Sequence, residues 1–191
     1  EETVPRERWT LVEAVRHQAR AQGEREFLSF ENGERFSFAE FDRLTDCLAT
    51  ALADLGLTAG DRILGLLTNS KEFMITMIAT HKIRAVFVPV NTELRGGFLE
   101  HQIINSSPRI IVVDDNLMGR FSSFDPSETG IETVVGVGDE SSPDISKLGL
   151  LAEVSQVRMD SLLDTTPNTE KLADPSPSDV CTIMYLSLIH I

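Results

Sequence analysis

The most suggestive chemical signal in the sequence is a pair of adjacent carboxylates, Asp114 and Asp115, at the end of an apolar run. Two carboxylates bind a divalent cation when both can direct oxygens at it. Successive side chains of a strand, however, point to opposite faces of a sheet, so these two cannot share one ion without help. We therefore predict no metal site at this pair.

The histidines and cysteines also lack a catalytic or metal-binding spacing. His81 and Lys82 fall in the last turn of a predicted helix, where positive charge stabilises the negative end of the helix dipole, so a structural role is predicted for His81. His101 has no second ligand nearby and is predicted to be solvated. Cys47 is interpreted as a packing residue. Neither it nor Cys181 belongs to a C-x-x-C or Cys/His pattern, which favours a reducing compartment.

No motif in the sequence specifies a reaction. The Ser/His/Asp triad order, the dinucleotide fingerprint G-x-G-x-x-G, the Walker pattern G-x-x-x-x-G-K and metal-ligand clusters are all missing from the 191 residues. A non-catalytic α/β binding or interaction module is therefore compatible with the residues themselves.

The elements that would position these side chains are organised around residues 60–91. Residues 62–67 and the stretch AVFVPV at 85–90 are apolar on both faces, as in buried strands of a parallel sheet. The helix between them has hardly any polar face. A strand, a helix and a strand in this order predict a parallel, right-handed crossover. The expected fold class is α/β, with a doubly wound, mostly parallel sheet and flanking helices.

Capping patterns place further helices. The T-x-x-E spacing from Thr10 and the S-x-x-E spacing from Ser37 predict two helix starts, and Gly23 and Gly56 predict the ends. The first helix is expected to present Leu11, Val15 and Ala19 as its apolar stripe. Between the two helices, alternating residues around Asn-Gly at 32–33 predict a hairpin with a type I′ turn. A third helix is expected to begin at Asn69.

The second half of the chain is predicted in less detail. A helix before Pro108 is expected to turn Phe98, Leu99, Gln102 and Ile103 inward. RIIVVDD and IETVVGV are predicted as strands. Residues 141–178 are interpreted as a long surface connection with one short helix near 148–157. Residues 179–185 return to strand character.

Composition narrows the class of protein. Seventeen basic against thirty acidic residues give a net charge of −13, which argues against a nucleic-acid or anionic-membrane surface. No apolar run approaches the roughly twenty residues that cross a bilayer, so no integral membrane segment is predicted. A cytoplasmic location is the simplest expectation.

Four stretches, taken in order, resemble the opening of the adenylate-forming, AMP-binding synthetase superfamily, and in particular its acyl-CoA ligases. They are FSFAEFDRLTDCLATALADLGLTAGDRI, LLTNSKEFMITMIATHKIRAVFVPVNTEL, SSPRIIVVDD and SDVCTIMY. Each piece alone is unspecific, but their order makes the joint match specific. The resemblance covers most of residues 9–185 and extends to carnitine- and crotonobetaine-CoA ligases in the wording VPVNTEL.

The resemblance implies a reaction that the residues alone do not. A member of this family uses ATP and Mg²⁺ to convert a small carboxylic acid into an acyl-adenylate, and coenzyme A then forms the thioester. An adenylation domain that loads a carrier protein is the alternative within the family. Residues 1–185 would be an incomplete N-terminal domain of the adenylate-forming fold, and no catalytic residue is assigned within them.

Two departures from the family pattern bear on function. Arg84 stands where the family usually has a glycine, which questions a tight turn from helix to strand. After Tyr185 the family continues into a Thr/Ser/Gly-rich loop whose amides and hydroxyls hold the ATP phosphates, because glycine lets bare N–H groups converge. Here only Ser187 coincides with that loop, as a remnant of the cofactor-binding position.

Residues 186–191, LSLIHI, are accordingly interpreted as a non-native or frameshifted tail, with a native last strand as the alternative. The chain as given is expected to have no adenylation activity and to bind ATP, Mg²⁺ and coenzyme A poorly. The acyl substrate and the oligomeric state are not predicted.

Overall fold

A computed structural model describes residues 5–127, 129–138 and 145–186. The α-helices are α1 (Leu11–Gln22), α2 (Phe38–Asp54), α3 (Lys71–Lys82), α4 (Gly96–Ser106) and α5 (Met159–Leu163). The strands are β1 (Glu26–Ser29), β2 (Arg35–Ser37), β3 (Arg62–Leu66), β4 (Val86–Pro89), β5 (Ile110–Asp114), β6 (Thr133–Val137) and β7 (Ser155–Arg158). Short 3-10 helices span Arg6–Arg8, Asp115–Phe121, Ile145–Glu153 and Thr169–Lys171.

The main sheet has five parallel strands in the order β4-β3-β5-β6-β7. From β3 the chain moves outward to β4, then crosses back to β5 and continues in the other direction. The strand order therefore reverses between β3 and β5, which is the topological switch point of a doubly wound sheet. The predicted fold class is confirmed.

Helices cover both faces of this sheet. Ile63 and Val112 point to the face covered by α2, α3 and α5, whereas Leu64, Ile111 and Val113 point to the face covered by α4 and the 3-10 helices. All five side chains are at most 2% exposed. Burial on both faces explains why these strands are continuously apolar in the sequence.

The predicted helix caps of α1 and α2 are confirmed. The Thr10 side chain accepts a hydrogen bond from the Glu13 amide, and Ser37 accepts one from the Glu40 amide, each at 3.1 Å. Gly56 adopts a left-handed φ of 88°, and the next residue folds back on α2. Each cap satisfies an amide that the helix leaves unpaired.

Several local predictions are wrong by small shifts. The hairpin of β1 and β2 exists, but five residues join its strands, and only Gly33 of the Asn-Gly pair has a positive φ, so the turn is not type I′. The cap of α3 is Ser70 rather than Asn69. In α1 the buried residues are Val12 and Glu13, whereas Leu11, which was predicted to lie on the apolar stripe, is 53% exposed.

The later part of the chain holds the larger errors. Leu99 and Ile103 of α4 are buried as predicted, but Phe98, which was also predicted to turn inward, is 78% exposed. The predicted surface connection at 141–178 contains β7 and α5, and β7 pairs in parallel with β6. Its sequence, SQVR, has a single apolar residue, so neither alternation nor a buried run identified it.

The junction between α3 and β4 is a tight turn despite Arg84. This residue adopts a left-handed conformation with φ of 57°, and its carbonyl accepts a hydrogen bond from the Gly60 amide at 2.9 Å. The backbone thus follows a path suited to glycine with an arginine in place.

The last turn of α3 is buried, so the two residues predicted to place positive charge at this helix end lie inside the protein. His81 is 4% exposed, and burial lowers its pKa, so the helix-end charge predicted for it is wrong. Lys82 is 0% exposed and forms ion pairs with Asp42 and Asp46 of α2, each at 2.5 Å. The Lys82 ammonium is therefore paired with two carboxylates, in addition to any interaction with the helix dipole.

Among the described residues, no helix combines the length and the apolar character needed to span a bilayer.

Candidate functional site

A large cleft lies at the carboxyl edge of the main sheet. Its walls come from the residues that follow β3, β5, β6 and β7, and the β1–β2 hairpin forms a further side. The cleft has a volume of about 1080 Å³, which is large enough for a small molecule. Open α/β sheets bind ligands outside the carboxyl ends of their strands, at the switch point, and this cleft includes that position.

The floor of the cleft at the switch point is a contact between the ends of β3 and β5. The amide of Thr68, just after β3, donates to Asp114 Oδ2 at 2.7 Å. Two residues later Ser70 caps α3 by accepting from the Phe73 amide at 3.3 Å. Asp114 therefore fixes the loop that leads into α3.

The neighbouring carboxylate, Asp115, is held by an arginine. Arg158 donates to Asp115 through Nη1 at 2.6 Å and through Nη2 at 2.8 Å, and Nη2 also donates to the Gly138 carbonyl at 2.8 Å. This two-point contact fixes the orientation of the carboxylate.

Glycines at the end of β6 make room for this pair. A Cβ on Gly136 would lie 2.5 Å from Arg158 Nη1, and one on Gly138 would lie 2.3 Å from Asp115 Oδ2. Both distances are shorter than real Cβ contacts, so a side chain at either position would displace the ion pair. The glycines of VVGVG are therefore required by packing at the cleft.

The hairpin wall is joined to α3 by an ion pair between Lys71 and Glu34. The pKa of Glu34 is lowered mainly by the hydrogen bond from Lys71 and also by one from Asn32. Partial burial opposes the charge of Lys71, but hydrogen bonding and attraction to Glu34 raise its pKa overall. The Lys71 ammonium also lies 5.8 Å from the Phe36 ring centroid, within cation–π range.

The charge of the cleft does not suit a triphosphate. Only one lining residue, Lys71, is a lysine or arginine, and it already pairs with Glu34. Six lining residues are acidic: Glu31, Glu34, Glu72, Asp114, Asp115 and Asp160. Such a surface repels ATP phosphates, and the Thr68 amide is already used by Asp114. Within the described residues, the lining of the cleft therefore offers no unpaired lysine or arginine to a phosphate.

The two candidate carboxylates have separate partners, the Thr68 amide for Asp114 and Arg158 for Asp115. Asp115 lies just beyond β5, at the start of a 3-10 helix, and both residues line the cleft, so the opposite strand faces predicted for the pair do not apply. No group of three potential metal-ligating side chains occurs within residues 5–127, 129–138 and 145–186. His101 is exposed, and Cys47 is buried at 1% exposure, as predicted.

The segment that resembles the approach to the phosphate loop lies against β4. The Phe87 amide donates to the Cys181 carbonyl, and the Ile183 amide donates to the Phe87 carbonyl, both at 2.9 Å. A single parallel bridge joins Phe87 to Thr182. The strand predicted at 179–185 is thus reduced to one bridge. Ser187, the predicted remnant of the phosphate loop, lies outside the described residues.

The aromatic end of this segment contacts α4. The Tyr185 hydroxyl donates to Asn105 Oδ1 at 2.6 Å, and the Tyr185 ring and Ile183 pack on the core beneath α4. Because the bridge is parallel, the segment runs towards the carboxyl edge of the sheet, the edge that also carries the cleft.

Sequence reasoning did not identify two residues that shape the cleft. Arg158 was assigned to the surface connection, and recognising β7 would have placed it beside β6 and Asp115. Lys71 follows the cap of α3, and no local pattern indicates its partner Glu34, which lies 37 residues earlier.

Comparisons with known proteins agree on one family. The family model described as "AMP-binding enzyme" matches residues 15–187. The long-chain-fatty-acid–CoA ligase FadD13 of Mycobacterium tuberculosis is 31% identical over 78 residues, which are 41% of this chain and 16% of that protein. Feruloyl-CoA synthase of an Amycolatopsis species is 27% identical over 155 residues, which are 81% of this chain and 26% of that protein.

A solved structure shows the same fold. The anthranilate CoA ligase AuaEII, in complex with anthranoyl-AMP, superposes with a TM-score of 0.79 at 17% identity. The match covers 94% of this chain and 32% of that one. The chain therefore spans a minor part of the length of the proteins it resembles.

Proposed function

Because the chain belongs to the AMP-binding enzyme family, whose model matches residues 15–187, we propose that it is the amino-terminal part of an ATP-dependent acyl-CoA ligase. In the proposed reaction a carboxylate attacks the α-phosphate of ATP, forming an acyl-adenylate and releasing pyrophosphate. The thiolate of coenzyme A then attacks the acyl carbon, forming the thioester and releasing AMP. Mg²⁺ would accompany the ATP.

The observation that carries this proposal is the family match, which includes nearly every described element. The names of the relatives, FadD13 and feruloyl-CoA synthase, favour coenzyme A as acceptor over a carrier protein. Both relatives are named for carboxylic acids, so a carboxylic acid is the proposed substrate class. The two cysteines are unpaired, which supports a reducing, cytoplasmic location.

Within that enzyme, residues 1–185 are proposed to form the sheet and part of the walls of the acyl and coenzyme A sites. These residues would orient the substrates and exclude water from the two sites. No reacting group is assigned to them. The acidic cleft supports this division, because its lining offers no place for phosphates. Ser187 stays the proposed remnant of the phosphate loop, and residues 186–191 the proposed foreign tail.

Pyrophosphate exchange tests the division of roles. The 191-residue chain is incubated with ATP, labelled pyrophosphate and a panel of carboxylic acids, with FadD13 as the positive control. We expect no exchange above the buffer level from the chain alone. Clear turnover by the chain would contradict the proposal that these residues lack the adenylation machinery.

The DNA that follows codon 191 tests the family role and the tail together. The proposal expects that a second reading frame continues from the codon of Tyr185 into a Ser/Thr/Gly-rich loop such as S-G-T-T-G. If no frame encodes such a loop, the proposed tail and the proposed parent enzyme are both wrong.

A further inference from the structure

The junction between α3 and β4 contains an unfavourable backbone conformation. Arg84 has a φ of 57°, in the left-handed region that disfavours residues with a Cβ. The only other such non-glycine residue within the described ranges is Ser107, the C-cap of α4. A strained conformation persists when the surrounding contacts fix it, so the contacts of Arg84 indicate its role.

The side chain of Arg84 binds the start of the terminal segment. Its Nε donates to Asp179 Oδ2 at 2.9 Å, and its Nη2 donates to Asp179 Oδ1 at 3.0 Å. Two parallel hydrogen bonds of this kind fix orientation, which a lysine cannot do. The left-handed backbone thus directs a guanidinium at a carboxylate 95 residues later in the chain.

Asp179 orders its own surroundings in turn. Its Oδ2 also accepts a hydrogen bond from the Ser176 amide at 2.9 Å, which closes the turn before the segment. The hydrogen bonds from Arg84 are the main cause of the lowered pKa of Asp179. The carboxylate therefore stays ionised and available to Arg84 across the neutral range.

A second contact comes from the buried end of α3. His81 Nε2 lies 2.9 Å from the Cys181 carbonyl oxygen. A carbonyl oxygen only accepts, so Nε2 carries the hydrogen and donates it. Cys181 is also the residue whose carbonyl accepts from the Phe87 amide.

The rest of the segment is only partly buried. Val180 is 65% exposed and Met184 is 69% exposed, whereas Ile183 packs on the core beneath α4 and Thr182 Oγ1 lies 3.4 Å from His81 Nε2. Within the described residues, the backbone contact with β4 consists of the two hydrogen bonds on Phe87. An edge strand with so few bonds opens readily unless side chains hold it.

We propose that Arg84, His81 and Asp179 form a positioning clamp that holds residues 179–183 on the outer edge of β4. The inference that this orders the approach to a phosphate-binding loop rests on the proposed function. Arg84 and His81 act through the backbone of the segment and are positioning residues. Arg84, whose presence in place of a glycine questions the tight turn, thus supplies the guanidinium of the clamp.

Amide hydrogen exchange of the 191-residue chain tests the clamp. The reporters are the amides of Phe87 and Ile183, which bond only across the junction, and the reference amides are those of β5 and β6. In Arg84→Gly we expect the reporter amides to exchange about threefold faster relative to the reference amides. An effect of this size is expected because the variant removes one exposed ion pair with two hydrogen bonds. The reference amides should exchange no faster, since glycine relieves the left-handed backbone.

Three further variants make the result specific. Arg84→Lys retains the charge but loses the two-point geometry, so it should lose most of the same protection. Asp179→Asn should match Arg84→Gly, and the double variant should lose no more than either single one. Arg35→Gln breaks an exposed ion pair with Glu26 in the hairpin, and as the control it should leave the reporters unchanged.

The clamp is overturned if the reporters keep their protection in Arg84→Gly, or if reporter and reference amides accelerate equally, since that would be global destabilisation. Additive effects in the double variant would also overturn it. The measurement uses no ATP, so its outcome is independent of pyrophosphate exchange. If the clamp is disproved, the proposed acyl-CoA ligase function still stands. If the proposed function is disproved, the clamp still stands.

Discussion

The two edges of the main sheet are built in opposite ways. At the amino edge, side chains close the gaps between strands: Arg109 donates to Asp61 at 2.8 Å, to Glu132 at 2.7 Å and to the Gly56 carbonyl at 2.9 Å. At the carboxyl edge, glycines and a hairpin leave a cleft of about 1080 Å³. The charged groups of the first edge bind each other and close it, whereas those of the second edge line an open cleft in which six acidic residues accompany one lysine.

Within one sheet, the amino edge therefore contributes mainly to stability, whereas the carboxyl edge carries the candidate functional site. The amino edge carries the charges whose loss should destabilise the fold, including fully buried Lys82 at the end of α3. The other end of the same helix carries Lys71, whose side chain is 29% exposed at the cleft. Substitutions at the two ends of α3 should therefore differ in cost, although both remove a lysine from an ion pair.

The largest effect is expected for Lys82→Met. This change leaves Asp42 and Asp46 without their cation, and loss of one partner of a buried ion pair costs about 3 kcal/mol. Urea unfolding of the variant and the parent chain measures the difference. Adding Asp42→Asn and Asp46→Asn should restore part of the loss. A cost below that of Lys71→Met would contradict the contrast between the two helix ends.

A smaller effect is expected for Gly136→Ala at the carboxyl edge. The new Cβ would meet Arg158 Nη1 at 2.5 Å and Met118 Cε at 3.1 Å, which are the ends of flexible side chains, so the main loss is the contact of Arg158 with Asp115, at about 1 kcal/mol. Thermal unfolding measures the loss. Gly130→Ala is the matched control, because no heavy atom lies within 4 Å of its added Cβ. Equal stability of the two variants would show that the Asp115–Arg158 pair is not fixed.

The acid side of the stability profile should depend on Asp61. Burial raises the pKa of Asp61, but hydrogen bonds from Thr58 and Arg109 lower it overall. A carboxyl whose folded pKa is lowered stabilises the fold above its unfolded value of about 3.9, and this contribution disappears as the pH falls through the folded pKa. Asp61→Asn should therefore cost about 1 kcal/mol at pH 7 and flatten the profile below about pH 4. An unchanged profile would contradict the role of Asp61 at the amino edge.

The smallest effect is expected for Lys71→Met at the cleft. Its ion pair with Glu34 is partly exposed, and such pairs contribute about 0.5 kcal/mol or less. The same urea experiment that measures Lys82→Met applies here, with the parent chain as reference. A loss of about 3 kcal/mol would show that the ion pairs at the two ends of α3 contribute equally to stability, and it would contradict the contrast between them.

The part of the fold that sequence could predict is the part fixed by local rules. The apolar runs of β3, β4, β5 and β6, and the caps at Thr10 and Ser37, follow from periodicity and from single hydrogen bonds. The strand β7 could not be predicted, because SQVR gains its place from pairing with β6 and not from its own composition. The turn at Arg84 was questioned because a local rule favours glycine, and a contact with Asp179 offsets that rule.

The site was less predictable than the fold for the same reason. Asp114 and Asp115 were identified as chemical candidates, but their partners are distant in sequence: Thr68 follows β3 and Arg158 ends β7. Lys71 and Glu34 meet only because the hairpin folds over the end of α3. His81 and Lys82 were assigned to the last turn of a helix, and only tertiary packing shows that α2 and the terminal segment bury them.

Titration of MgATP into the isotopically labelled 191-residue chain, followed by amide NMR, tests the central claim most directly. The claim is that these residues build the scaffold of an adenylate-forming enzyme and an acidic cleft, but no phosphate site. We predict no saturable shift of the amides around Ser70, Lys71 and Asp114 up to millimolar MgATP. Saturable shifts confined to those amides would show that the cleft binds the nucleotide by itself, and would contradict the account.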